Sequence, residues 1–275
     1  KAANVEILDY PLEASIRQAL LYSEEVCVAI ATSRDNTVEI VRRLQGEFPT
    51  RVKYQVVDLP HDIRWHQRMW EIAKDLASCD WLFAIDADEA IHEKYVPHIR
   101  ELLRNPNKPF VSFPMVHFIG TPNFTANKIT EPHFYLRHCR MGYKNNSFGI
   151  KNFRIPGQNQ HPVDDVVGLV DGKETHLHAY DGDLMAITQI PIFHYGWARG
   201  KRGLATRQTL GPAWYQNNAS LSDLDNTSDF NYLSRFNRLS VDLFTQDHPK
   251  YMKEIWFDCS PHPVEWAKIT RHWSS

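Results

Sequence analysis

Residues 81–89 read Trp-Leu-Phe-Ala-Ile-Asp-Ala-Asp-Glu, an apolar run followed by four residues of which three are acids. A short continuous apolar run is typical of a strand buried on both faces, so the acids come at its carboxyl end. Carboxylates this close repel one another unless a cation or hydrogen-bond donors offset their charge, and Mg²⁺ or Mn²⁺ is the oxygen-binding ion that suits them. The alternative is a polar strand end followed by a helix, whose first turn favours acids.

The chain around this stretch alternates between strand patterns and helix patterns. Residues 26–31 form another continuous apolar run, and Val52, Tyr54 and Val56 alternate as in a strand. Apolar helical stripes occupy residues 37–48, 62–76 and 96–103. This order predicts an α/β fold with a mostly parallel central sheet and helices on both faces. Ligands bind beyond the carboxyl ends of the strands in such sheets, and Asp86 and Asp88 lie at one of these ends.

The pattern changes after Pro109. Residues 110–118 and 133–138 read as strands, 145–165 as loops, and 230–244 as a helix with its apolar side chains on one face. Loops of this kind shape binding pockets. We therefore expect an α/β half over residues 1–108 and a loop-rich, helical half over 109–275, both within one compact unit.

The composition is that of an ordinary water-exposed globular protein. The chain has 275 residues with a net charge of −2, and this balance gives no support to a nucleic-acid or anionic-membrane surface. No apolar run approaches the ~20 residues that span a bilayer. The four cysteines are far apart and form no CxxC pair, which favours a reducing cytosol and a cytoplasmic protein.

Two further segments carry candidate ligands. His194 ends an apolar strand and is followed by Arg199 and Lys201, so an imidazole ligand and phosphate-binding charges are one interpretation. A core histidine before a solvated basic loop is the other. Ser33 and Asp35 follow the strand at 26–31 and could bind a base or ribose, or cap the next helix.

Arg68 and three acids complete the set of candidates. Arg68 lies on the helix before the acidic stretch, where it could reach a diphosphate or be an ordinary surface arginine. A general base has to be a carboxylate or similar group within hydrogen-bond reach of the reacting hydroxyl. Asp164 and Asp165 in one loop, and Glu131 in another, are the candidates, although each also fits a solvated loop acid.

Four blocks in the expected order resemble a family-two-type glycosyltransferase, in particular a bacterial and phage branch of that family. They are residues 4–16, 25–37, 80–93, and 192–199 together with 247–249. The resemblance implies a GT-A, Rossmann-like fold, a nucleotide-diphosphate sugar donor with a UDP-sugar favoured, a Mn²⁺ or Mg²⁺ cofactor, and inversion at the anomeric carbon. It also implies that residues 1–108 bind the donor and 109–275 the acceptor.

The resemblance gives roles to individual residues. It implies that Asp88 is the principal metal ligand, Asp86 a ribose or metal contact and His194 a second metal ligand. Arg199 and Lys201 are implied contacts of the diphosphate. Two features depart from the family: Ile30-Ala31-Thr32 stands where many relatives carry acids, and only three residues precede the position of Asn4. We therefore expect the natural protein to begin roughly ten residues earlier, with a further strand of typical length.

Two other functions share parts of this pattern. A nucleotidyltransferase uses a similar sheet and paired acids, but no Gly-rich phosphate loop follows the first strand. A non-catalytic carbohydrate-binding protein on the same fold would have little reason to retain both acids. For a glycosyltransferase, the acceptor is a saccharide of a cell envelope or, in a phage enzyme, a hydroxymethylated DNA base.

Overall fold

The computed structural model describes residues 2, 5–6, 8–59, 65–83, 85–104, 110–129, 139–144, 148–150, 166–170, 173–177, 185–198 and 239–253. The described helices are α1 Leu12–Ala19, α2 Thr37–Glu47, α3 Trp65–Asp75, α4 Val96–Arg104 and α5 Lys250–Lys253, with a 3₁₀ turn at Glu93–Tyr95. The described strands are β1 Val26–Ala31, β2 Val52–Val57, β3 Trp81–Phe83, β4 Glu89–Ile91, β5 Phe110–Ile119, β6 Thr121–Ile129, β7 Cys139–Lys144, β8 Phe148–Ile150, β9 Val166–Val170, β10 Lys173–Leu177, β11 Met185–Ile187, β12 Ile192–Trp197 and β13 Leu239–Leu243.

The first two strands form a parallel pair, as the alternating pattern predicts. β1 and β2 stay in register from Val26 opposite Val52 to Ala31 opposite Val57. On the other side of β1, Ala2 forms a parallel bridge with Ile30. The connection between β1 and β2 runs through α2, the arrangement that parallel neighbours require.

Helices cover this sheet through the apolar stripes seen in the sequence. Met69 and Ala73 of α3 pack against Ala29 and Ala31 of β1. A separate cluster joins β1 and β2 to α1 and α2 and contains Leu12, Ile16, Ile30, Val41, Leu44 and Val52. Burial of these side chains on both sides explains why β1 reads as a continuous apolar run.

A second, mixed sheet carries the later part of the chain. Its main path runs β13-β6-β5-β12-β4, with β7 and β11 also paired to β5, and β3 paired to β7. β12 lies parallel to β5 and antiparallel to β4. Strands β8, β9 and β10 form a small antiparallel sheet. Strands from both halves of the chain, divided near residue 108, therefore share one sheet.

The predicted helix over residues 230–244 is wrong for its described part. Leu239–Leu243 forms β13, which pairs antiparallel with β6 from Leu239 opposite Ile129 to Leu243 opposite Phe124. The sequence Leu-Ser-Val-Asp-Leu alternates apolar and polar residues, and a period of two is the strand pattern. Leu239 and Leu243 are four residues apart, a spacing that fits both a helix and a strand. The polar residues Ser240 and Asp242 between them fit only the strand.

The helix predicted over residues 96–103 is confirmed as α4, Val96–Arg104. Directly after the acids, Glu89–Ile91 forms β4 and a 3₁₀ turn follows, so the alternative of a helix with these acids in its first turn does not apply. The predicted strand at 133–138 lies outside the described residues. Within the predicted loop 145–165 the described residues are 148–150, and there the loop prediction is wrong, because they form β8 and pair with β9. Among the described residues, no helix is both long and apolar enough to cross a membrane.

Candidate metal and donor site

The acidic stretch folds into a closed turn from Asp86 to Glu89. The backbone N–H of Glu89 donates to the Asp86 carbonyl at 3.1 Å. In return, the backbone N–H of Asp86 donates to Glu89 Oε2 at 2.9 Å. These reciprocal bonds hold the ends of the turn together and fix the direction of the Glu89 side chain.

Apolar residues between and after the acids anchor the turn in the interior. Ala87 packs into the cluster around β1, whereas Ala90 packs with Phe118 and Phe193. The Ser15 hydroxyl on α1 donates to the Glu89 carbonyl at 3.0 Å. The turn is thus held between the first sheet, α1 and the mixed sheet, which explains why small apolar residues alternate with acids here.

Pairing between strands places a histidine beside the turn. In the mixed sheet β12 lies between β4 and β5, and His194 is opposite Glu89 on one side and His117 on the other. The pairing with β4 is extended by the Tyr195 N–H, which donates to the Asp88 carbonyl at 2.8 Å. The register of β12 on β5 shifts between His194 and Trp197, the kind of irregularity that often adjoins active sites.

Asp88, Glu89 and His194 bring their side chains together. One ligand atom from each residue lies within 4.8 Å of the others. His194 Nε2 is 3.7 Å from Asp88 Oδ2, and Asp88 and Glu89 are only 3 % and 1 % exposed. Two buried carboxylates need a nearby positive charge, and carboxylate oxygens with an imidazole nitrogen suit Mn²⁺. The residues present therefore fit the divalent cation that the sequence predicts.

Asp86 is not one of the three residues that converge. It is half-buried, and its backbone N–H and carbonyl both bond to Glu89. Glu89 supplies the third potential ligand atom in its place. A role of Asp86 in binding metal or ribose stays a prediction.

The turn after β1 is closed by its own side chains. Asp35 Oδ1 accepts from the Thr37 N–H at 3.1 Å and is also bonded to the Thr37 hydroxyl, while Oδ2 accepts from the Glu6 N–H at 2.9 Å. The Ser33 hydroxyl donates to the Ala31 carbonyl at 2.8 Å. Asp35 therefore ties the loop around Glu6 to the start of α2, although the N-cap residue of this helix is Asn36, whose side chain makes no capping hydrogen bond. Nucleoside binding by Ser33 and Asp35 stays a prediction.

The other predicted site residues divide into two groups. Arg68 lies on α3, half-buried beside Met69, which packs against β1. Five residues lie outside the described part of the chain: Glu131, Asp164, Asp165, Arg199 and Lys201. The candidate bases and the predicted diphosphate contacts of the basic segment stay predictions.

Tyr22 lies close enough to the turn for the charge of Glu89 to act on its phenol. Burial, and then the charge of Glu89, raises the pKa of Tyr22 well above its ordinary value. The Tyr22 hydroxyl is buried and has no hydrogen-bond partner among the described residues. A phenol held neutral here is expected, because ionisation would place a second negative charge beside Glu89.

Two contacts tie the C-terminal segment to the back of the site. The Tyr195 hydroxyl and His248 Nδ1 are hydrogen bonded at 2.9 Å within a cluster of aromatic rings. The side-chain amide of Gln18 donates to the Ile91 carbonyl at 2.8 Å and accepts from the Tyr251 N–H at 3.3 Å. The segment around His248 therefore packs on β12 and α1 immediately behind the candidate ligands.

The structure adds two residues to which the sequence patterns give no role. Glu89 belongs to the acidic stretch without being indicated as a ligand, and no pattern points to His117. The only titratable residue between Phe110 and Ile119 is His117, and such an isolated group in an apolar strand was the available signal. Its partner could not be identified, because the register of β5 on β12 is a tertiary property.

A family model for glycosyl transferase family 2 matches residues 8–162. This match covers more than half of the chain, which therefore belongs to glycosyl transferase family 2, with the GT-A α/β fold class predicted from the sequence. The matched range includes the turn after β1, helix α3 and the acidic turn. No curated protein sequence matches the chain.

Solved structures of S. aureus TarS are similar to part of the chain. One TarS structure has 14 % identity and a TM-score of 0.38, covering 55 % of this chain and 29 % of that chain. TarS 1–349 in complex with UDP has 13 % identity and a TM-score of 0.39, covering 55 % of this chain and 48 % of that chain. The match thus spans less than half the length of these structures. Scores this low add nothing to the family assignment.

Proposed function

We propose that the chain is a metal-dependent glycosyltransferase that moves a sugar from a nucleotide-diphosphate donor to an acceptor hydroxyl with inversion. A UDP-sugar is the donor that we would test first. The observation that carries the proposal is the convergence of Asp88, Glu89 and His194 within 4.8 Å. The chain belongs to a family of glycosyltransferases, and it brings a buried acidic turn and an imidazole together. These features support a donor site that contains a divalent cation.

The chain's own residues would act mainly by holding the cation and orienting the donor. Asp88, Glu89 and His194 would hold Mn²⁺ or Mg²⁺, whose chemistry is to bind the donor diphosphate and offset its growing charge as the sugar leaves. The closed turn and the backbone bond from Tyr195 to Asp88 keep these ligands in place before the donor arrives. Preorganised groups of this kind lower the barrier because little reorganisation is needed during the reaction.

The donor's nucleoside would lie over the turn that contains Ser33 and Asp35, with Asp86 contacting its ribose and Arg68 its diphosphate. This placement is supported by the position of that turn at the carboxyl end of β1. Arg199 and Lys201 would add positive charge near the diphosphate. Asp164, Asp165 and Glu131 are our candidates for the base that accepts the proton of the attacking hydroxyl.

The proposal is tested by a thermal-shift screen of nucleotide sugars with Mn²⁺, followed by analysis of the products. A bound donor raises the midpoint of unfolding by mass action, and we expect this only when Mn²⁺ is present. Turnover should release a nucleoside diphosphate. Release of pyrophosphate would instead assign the chain as a nucleotidyltransferase.

Site variants show whether the turnover comes from this site. Asp88→Asn removes one charge from the metal site at almost constant volume and should abolish release of the nucleoside diphosphate. The matched control is Asp75→Asn, because the Asp75 side chain on α3 is 72 % exposed and ion-paired only with its neighbour Lys74 among the described residues. Equal turnover by the two variants would contradict the assignment.

The acceptor is the less constrained part of the proposal. We propose a saccharide, such as a cell-envelope glycan, with a hydroxymethylated DNA base as the alternative. The net charge of −2 gives no general attraction to DNA and favours the saccharide. Transfer of labelled sugar to envelope polysaccharide, compared with transfer to duplex DNA containing hydroxymethylated bases, distinguishes the two.

A further inference from the structure

Two histidine rings meet directly behind the proposed metal site. His117 Nδ1 and His194 Nδ1 are 2.7 Å apart, with ring centroids separated by 4.8 Å and ring planes at 89°. Because both atoms are ring nitrogens of the same kind, one has to donate a proton and the other has to accept it. The contact therefore links the tautomer of one ring to that of the other.

The position of His194 Nε2, on the opposite side of the ring from Nδ1, determines which tautomer of His194 can bind a cation. His194 Nε2 faces the Asp88 carboxylate, with 3.7 Å between Nε2 and Oδ2. An imidazole nitrogen binds a metal through its lone pair, so Nε2 has to be free of its proton. The proton of a neutral His194 then lies on Nδ1, where the acceptor among the described residues is His117 Nδ1.

We propose that His117 is a positioning residue that holds His194 in its Nδ1–H tautomer and so directs the Nε2 lone pair toward Asp88 and Glu89. This inference rests on the metal-dependent function proposed above. His117 itself is not part of the group of converging ligand atoms. It acts through His194, in the way that hydrogen-bonding partners behind metal ligands orient imidazole rings.

Strand pairing in the mixed sheet places the His117 ring beside the His194 ring. His117 and His194 are direct partners in the parallel ladder between β5 and β12, and His194 is the direct partner of Glu89 in the antiparallel ladder to β4. The three residues therefore form a row across adjacent strands. Phe118, next to His117, is fully buried and packs edge-on against Phe193, which keeps the two strands from sliding.

The tautomer is read directly by long-range ¹H–¹⁵N correlation spectra of metal-free, ¹⁵N-histidine-labelled protein. His194→Gln identifies the signals of His194 by their loss. We expect His194 to carry its proton on Nδ1 and His117 on Nε2. Finding His194 with its proton on Nε2 in the wild-type protein would overturn the inference, whatever the behaviour of any variant at position 117.

Metal affinity provides the second readout, measured as binding of Mn²⁺ alone by electron paramagnetic resonance. His117→Leu removes the acceptor and should weaken Mn²⁺ binding by about 10- to 100-fold, the usual effect of losing a partner behind a metal ligand. His117→Asn keeps an acceptor oxygen close to the position of Nδ1 and should restore most of the affinity. His98→Asn, at an exposed position on α4, is the matched control and should bind as the wild type does.

The outcomes separate this inference from the proposed function. Equal Mn²⁺ affinity of the wild type and a folded His117→Leu variant would overturn the role of His117 while leaving the metal site in place. If Asp88→Asn also binds Mn²⁺ as tightly as the wild type, the proposed metal site and the role of His117 both fail.

Discussion

The backbone N–H of Tyr195 donates to the carbonyl of Asp88 at 2.8 Å. This one bond joins a turn in the first half of the chain to a strand in the second half. It continues the antiparallel ladder in which His194 lies opposite Glu89, so the register of the ladder determines which side chains meet. The candidate site is thus a property of strand pairing as much as of the acidic sequence.

Glu89 offers a test of whether the cluster or the sequence motif alone defines the ligands. Glu89→Gln keeps the length of the side chain and can still accept from the Asp86 N–H, but it removes one negative charge. We expect Mn²⁺ affinity to fall by at least about tenfold, or 1.4 kcal/mol, with little change in the urea midpoint. The measurement is Mn²⁺ binding by electron paramagnetic resonance.

The control for that variant is Glu101→Gln on α4, whose side chain is 70 % exposed. It should bind Mn²⁺ as the wild type does. Unchanged affinity in Glu89→Gln, together with a strong loss in Asp86→Asn, would return the third ligand to Asp86.

Gln18 tests how the C-terminal segment is held. Its side chain is fully buried and bonds the Ile91 carbonyl, the Glu93 carboxylate and the Tyr251 N–H. Gln18→Leu has a similar volume but leaves the Ile91 carbonyl without this donor, so we expect a loss of about 1–3 kcal/mol in the free energy of unfolding. Urea unfolding measures the loss, and faster tryptic cleavage after Lys250 would report loosening of α5.

Gln45→Leu on α2 is the matched control, since Gln45 is only half-buried. It should change the free energy of unfolding by no more than about 0.5 kcal/mol, as is usual for substitutions away from the core. Similar losses of unfolding free energy in the two variants would mean that the buried hydrogen bonds of Gln18 do not stabilise the fold.

His248 predicts a dependence of stability on pH. Burial first, and then the charge of Lys253, lowers the pKa of His248 from 6.5 to about 4, although a hydrogen bond to the Pro122 carbonyl and the charge of Asp247 oppose this. Between these pH values the unfolded chain binds a proton that the folded chain does not. Stability therefore falls as the pH drops from 6.5 to about 4, by on the order of 2 kcal/mol after allowance for partial exposure.

Urea unfolding of the wild type and of His248→Asn across this pH range isolates the contribution of His248 to the pH dependence of stability. The variant lacks the titrating ring, so its free energy of unfolding should fall less steeply between pH 6.5 and 4. Parallel curves for the two proteins would show that His248 carries its proton equally in the folded and unfolded states.

The local elements could largely be predicted from the sequence, because their patterns are local. The apolar run at 26–31 and the stripe at 37–48 became β1 and α2, and the acids do follow a strand. The helix expected over 230–244 failed because Leu239 and Leu243 satisfy a period of two as well as a helical period.

The partners within the site could not be predicted in the same way. Glu89, His194 and His117 meet only because three strands pair in one register, and a slip of one residue would turn these side chains to the opposite face. No local pattern specifies that register. The acids are recognisable because they are close together in the sequence, whereas His117 is not, because its partner lies on another strand.

The most direct test is calorimetric titration of UDP into the wild type and Asp88→Asn, each with and without Mn²⁺. If Asp88 helps to hold a cation that binds the diphosphate, UDP should bind the wild type at least about tenfold more tightly with Mn²⁺ than without it, a difference of 1.4 kcal/mol. Asp88→Asn should lose that difference while keeping the wild-type midpoint of urea unfolding. Equal enhancement by Mn²⁺ in both proteins would contradict the proposed metal site.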